Sequence, residues 1–60
     1  MNVSITISTL KMVRGIVRSQ GIPAAADKLA SLIVDAGMRR PSAITRANQL
    51  ITILQKEGKL

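Results

Sequence analysis

The chain has no cysteine, no histidine and no aromatic residue, and its only acidic residues are Asp27, Asp35 and Glu57. Disulfides and thiolate chemistry are therefore excluded, as are the zinc sites that need cysteine or histidine ligands. No metal and no other cofactor is expected. The missing Phe, Tyr and Trp are the side chains that normally make the largest single burials in a small core, so Leu, Ile, Val, Met and Ala must supply it. Their absence also argues against single-strand readers that stack bases on rings, such as RNA-recognition and oligonucleotide-binding folds. No apolar run reaches the roughly 18 residues of a membrane span, and the N-terminus lacks the basic region and small-residue cleavage site of a secretory signal. A cytoplasmic location with no membrane partner is expected.

Catalysis lacks its usual parts. Three dispersed carboxylates leave only Ser, Thr and Lys as reactive groups, and no base, oriented nucleophile or metal cage can be assembled from them. The glycines are isolated helix stops and match no phosphate-loop spacing. Enzyme activity is not expected.

Positive charge is what the chain has in excess. Nine Lys or Arg against three carboxylates give a net charge of +6, a balance that favours a polyanionic partner. With ring stacking absent, duplex DNA is the better candidate. The charge is uneven: +3 over residues 1–21, −1 over residues 22–37 and +4 over residues 38–60. A chain of 60 residues makes one domain at most and buries only about 60% of its unfolded surface. With disulfides and metals excluded, oligomerisation is the remaining source of stability, and a homodimer is expected.

The pattern predicts a mainly α fold with a short N-terminal strand and three short helices, arranged like a helix-turn-helix. Residues 2–8 alternate, Val3, Ile5 and Ile7 against Ser4, Thr6 and Ser8, which is the period of a half-buried strand. Nothing later alternates this way, so the strand is expected to pair with its copy across the dimer as a two-stranded ribbon. The division expected is a strand arm over residues 1–8 and a three-helix unit over residues 9–60. Ser8 or Thr9 would cap a helix running to about Gln20, with Leu10, Val13, Ile16 and Val17 inward and Lys11, Arg14 and Arg18 along another face. Gly15 inside it suggests close approach of another backbone. Gly21 would end this helix as a left-handed cap, with Ile22 over Val17. Pro23 opens a second helix running to about Ala36, with Ala25, Ala26, Leu29, Leu32, Ile33 and Ala36 inward. Gly37 would repeat the ending, with Met38 over Ile33.

The third helix, expected over residues 41–57, separates a core face from a chemically usable one. At 100° per residue Ala43, Ile44, Ala47, Leu50, Ile51 and Leu54 fall within an arc of about 120°. The opposite face carries Ser42, Thr45, Arg46, Gln49 and Lys56, which are the hydroxyl, amide and cationic types that reach phosphates and base edges. Arg39 and Arg40 stand on the preceding turn, next to a helix N-terminus whose free N–H groups attract phosphate. The DNA-binding set expected is thus Arg39, Arg40, Ser42, Thr45, Arg46 and Gln49.

These residues resemble known DNA-binding proteins in two ways. Residues 26–60, a supporting helix, a glycine turn and then PSAITRANQLITILQKEGKL, look like the second and third helices of helix-turn-helix proteins, particularly winged-helix regulators. Their recognition helix commonly ends in a leucine followed by charged residues and glycine, where this chain has Leu54, Gln55, Lys56, Glu57 and Gly58. A strand with alternating Ser4, Thr6 and Ser8 ahead of two helices is instead similar to ribbon-helix-helix repressors, in which the ribbon enters the major groove; that resemblance would make Ser4, Thr6 and Ser8 the readers. Either one implies a dimeric, sequence-specific transcriptional regulator, of the size found in phages and plasmids. Without His or Cys to sense pH or redox state, control would come through protein concentration or a regulatory protein partner. The competing class is a small structural or adaptor protein that binds a larger protein, favoured by Met12 and by Ile53 on the otherwise polar face of the third helix.

Overall fold

Thr6 begins the first helix. Its side-chain oxygen accepts from the Thr9 N–H at 3.2 Å, and the two threonine hydroxyls lie 3.0 Å apart. Its carbonyl accepts the first helical bond, from the Leu10 N–H at 2.9 Å. The computed structural model describes residues 6–60 and contains three helices over that span, α1 (Ile7–Gln20), α2 (Ile22–Asp35) and α3 (Arg40–Lys56).

The expected N-terminal strand is corrected by this start. Residues 6–8, its last three, are the cap and first turn of α1, and the rest of it lies outside the described residues. The physical reason is local: a helix satisfies its backbone groups within the segment, whereas a strand needs a neighbour. No strand occurs among the described residues to provide one. The cap is accordingly Thr6 rather than Ser8 or Thr9. Of the ribbon's expected readers, Thr6 and Ser8 are part of a helix terminus and Ser4 is outside the described residues.

A single residue joins α1 to α2. The Gly21 N–H donates to the carbonyls of Ile16 and Val17, both at 3.1 Å, and its own carbonyl accepts from Ala25 at 3.3 Å. Gly21 therefore closes one helix and opens the next. Its φ of 93° and ψ of 172° lie in a region essentially reserved for glycine, away from the left-handed helical cap that had been expected. Ile22 is 39% exposed and is the first residue of α2, where it had been expected to trail α1 as the residue after the cap. Pro23 follows inside the first turn of α2, where a missing N–H is harmless.

The α2 end does follow the expected motif. Met38 donates to the Ile33 carbonyl at 3.2 Å and Gly37, with φ 109°, to Val34 at 2.9 Å, the paired bonds of a Schellman ending, and Met38 packs on the core. The end of α3 repeats it, with Lys59 donating to Leu54 at 2.9 Å and Gly58 to Gln55 at 3.1 Å.

Helix α2 packs against both α1 and α3. The buried set is Val13 from α1, Ala25, Leu29, Ala30 and Ile33 from α2, and Ala43, Ala47, Leu50, Ile51 and Leu54 from α3. Four of these ten are alanines, and small side chains at a helix crossing let the axes approach toward the lower end of the usual 8–10 Å range. Because α2 is covered by two helices, its buried arc is wider than a single stripe, and Ala30 is buried although not expected to be. Ala36 is the exposed cap residue past the helix end, and Ile44 is 44% exposed at the margin of the α3 stripe; neither faces inward as anticipated. Leu10, Ile16 and Val17 are half-buried. No helix of the described residues is long and apolar enough to cross a membrane.

Gly15 makes no close approach. A Cβ built there meets nothing within 4 Å, so the glycine costs helix propensity without a packing return. Gly15→Ala is expected to stabilise the protein by up to about 1 kcal/mol, which for a domain of this size raises the melting midpoint by about 4–8 °C. Calorimetry checks this, and an unchanged or lower midpoint would contradict the open surroundings of Gly15.

Candidate nucleic-acid interface

Arg39 precedes α3 in an extended conformation, φ −68° and ψ 147°, and no side chain caps this helix end. The first helical bond runs from the Ala43 N–H to the Arg39 carbonyl at 2.8 Å. Pro41 has no N–H to offer, so the free donors of the first turn are those of Arg40 and Ser42. Both residues are exposed, and the helix dipole adds to the attraction of an anion at this point.

Four of the expected readers are brought together. Ser42, Thr45, Arg46 and Gln49, with Met38 and Pro41, line one open groove along the outer side of α3. Thr45 and Gln49 continue into a second shallow depression shared with Asn48, Thr52 and Ile53. Arg39 and Arg40 stand at the N-terminal end of this surface and do not line either groove. Their place on the turn and first residue of the helix matches phosphate contact rather than base reading.

The structure adds detail that spacing alone did not disclose. The Arg40 Nη2 lies 3.9 Å from the Asp27 Oδ1 of α2, with the side chains 61% and 76% exposed. A pair this long and this wet contributes about 0–1 kcal/mol and leaves Arg40 available to a stronger anion. Thr45 donates its hydroxyl to the Pro41 carbonyl at 3.2 Å, and Thr52 donates to Asn48 at 3.0 Å. Back-bonded hydroxyls keep acceptor capacity, so Thr45 is poised to accept from a partner. Arg46 is half-buried, which limits the rotamer freedom it can lose on binding.

Asn48 and Thr52 were missed from the sequence. Both are exposed on α3 and widen the polar surface on the side away from Arg46. Helical position carried the signal: Asn48 lies three residues after Thr45, and Thr52 three after Gln49, so each stacks beside an anticipated reader. Ile53, 48% exposed, lines the same depression, an apolar side chain within a polar field.

A second group of cations lies on α1. Lys11, Arg14 and Arg18 are exposed, and α1 carries no carboxylate. Among the described residues the ion pairs are Arg40 with Asp27 and Lys59 with Glu57, so these three have no carboxylate partner. Like charges three and four residues apart on a helix cost about 0.2–0.5 kcal/mol per pair.

Comparison with protein-family models, curated proteins and solved structures returns no match. The described residues also contain no His, Cys, Asp or Glu cluster able to hold a metal ion.

Proposed function

We propose that the protein is a sequence-specific duplex-DNA-binding regulator that works as a homodimer, with α3 inserted in the major groove after the manner of a helix-turn-helix protein. The observation that carries this reading is the outer surface of α3, where exposed Ser42, Thr45, Asn48 and Gln49 and half-buried Arg46 follow an uncapped helix N-terminus flanked by two arginines. Hydroxyl and amide groups in the first turns of an inserted helix reach base edges, while the free N–H groups and arginines hold phosphates. No carboxylate stands in α3 to repel them. Dimerisation is supported by a core in which alanine replaces bulk, since that leaves a lone copy of the three-helix unit marginal.

The test is binding to random duplex DNA over a salt series. Affinity is expected to fall steeply with salt, and Arg39→Ala should weaken binding to all sequences about equally while lowering the log–log salt slope by about one. Binding that is absent at low and moderate salt alike would sink the reading. In that case the adaptor alternative gains, because Ile44 and Ile53, 44% and 48% exposed, would serve better against an apolar protein surface.

Regulation in this reading comes from coupling between dimerisation and binding. Operator occupancy should rise more steeply than first order with protein concentration, because two chains combine for each occupied site. Quantitative footprinting through the dimer dissociation constant measures it, and a simple hyperbola would exclude the coupled scheme.

A further inference from the structure

Helix α1 has a stripe of cations that reading the major groove with α3 does not use. Lys11, Arg14 and Arg18 recur three and four residues apart, which places them on one face of the helix, and all three are exposed. The inward side of the same helix is marked by Val13, which at 0% exposure belongs to the same core cluster as Ala43, Ala47, Leu50 and Ile51 of α3. Helices whose buried stripes converge on one cluster turn their outer faces in different directions. The basic stripe of α1 and the polar surface of α3 are thus two surfaces, not one. The α1 stripe is not neutralised from within: every acidic residue of the chain lies on α2 or just after α3, and the ion pairs of the described residues leave the α1 cations unpartnered.

We propose that the outer face of α1 is a second docking surface for duplex DNA, so that the protein joins two duplexes, α3 reading the groove of one and α1 gripping the phosphates of the other. This rests on the DNA-binding reading of α3. The chemistry of the α1 face fits a backbone rather than base edges. It presents three cations with no hydroxyl and no amide side chain between Lys11 and Arg18, which suits sequence-independent phosphate contact.

The experiment uses the full chain, an immobilised duplex and a second, dye-labelled duplex. The wild type should carry the labelled duplex onto the immobilised one in a protein-dependent way, and co-capture should decline when excess protein coats each duplex separately. The variant Lys11→Gln/Arg14→Gln/Arg18→Gln replaces exposed side chains with a good helix former, and circular dichroism should show its helices intact. It should keep sequence preference for a single duplex, yet lose co-capture about tenfold or more, with a salt slope for that step lower by about 0.9 for each cation that meets a phosphate. Single-duplex binding without co-capture by the wild type would overturn the bridging role while leaving the function of α3 standing. Co-capture by the variant equal to that of the wild type would overturn the assignment to α1, and so would α1-dependent binding to anionic phospholipid vesicles in place of the second duplex. Absence of duplex binding altogether would overturn both readings at once.

Discussion

Leu29→Ala is expected to remove most of the protein's stability. Leu29 is 3% exposed near the middle of α2, the helix that packs on both of the others, so its side chain fills space that no neighbour can take over. A buried leucine cut to alanine typically costs about 2–5 kcal/mol through lost transfer energy and the cavity left behind. The whole stability of a domain this size is about 3–9 kcal/mol, and the lack of aromatic burial places it toward the lower end. Urea titration followed by circular dichroism should show a large fall in midpoint, with part of the variant unfolded before denaturant is added. Ile44→Ala serves as the comparison, because at 44% exposure against 3% for Leu29 it has markedly less buried surface to lose. Should the two variants be destabilised equally, Ile44 must be covered in solution, for instance by a second copy of the chain seated on the groove that Ile44 lines with Pro23, Ala26 and Asn48 between α2 and α3.

The three helices and their ends were largely legible because caps and periodicity act locally. Gly37 with Met38 specifies the end of α2, and both the hydrogen bonds and the packing of Met38 follow from that pair. The α3 stripe was legible for the same reason, since Ala43, Ala47, Leu50, Ile51 and Leu54 repeat at helical spacing and are all buried. What misled was alternation over too short a span. Thr6, Ile7 and Ser8 alternate as a strand would, but Thr6 and Thr9 at three-residue spacing are also a helix cap, and Ile7 remains 75% exposed because neither period buries it. Gly21 misled differently. Ile22 read as the residue trailing α1, with the next helix opening at Pro23, whereas the backbone at φ 93° and ψ 172° turns so sharply that Ile22 already belongs to the next helix. The pairing of Arg40 with Asp27 was out of reach, because only the packing of α3 on α2 brings together residues so far apart in the chain. For the α3 surface, residue types and spacing indicated which groups share a face; the neighbours that complete it, Asn48 and Thr52, became visible with the grooves.

Arg46→Ala is expected to cost about 1–3 kcal/mol of discrimination at one base pair, a factor of roughly 5 to 150, while binding to random duplex changes much less. Arg46 shares its groove with Ser42, Thr45 and Gln49, two turns or less from the α3 N-terminus, so in the proposed docking its guanidinium would sit beyond the end that meets phosphates. An arginine fork meets the two acceptors of guanine together, and that bidentate geometry is where the preference arises. Arg46→Lys isolates the geometry from the charge, because lysine keeps the cation but cannot form the planar fork. The lysine variant should therefore retain the wild-type salt slope and lose the preference, and the alanine variant should lose the preference with it. Competition binding against a set of duplexes varied one base pair at a time reads both. If Arg46→Ala weakens every duplex equally and lowers the salt slope by about one, Arg46 contacts a phosphate, and sequence reading would then pass to the amides of Asn48 and Gln49, whose paired donor and acceptor groups match adenine.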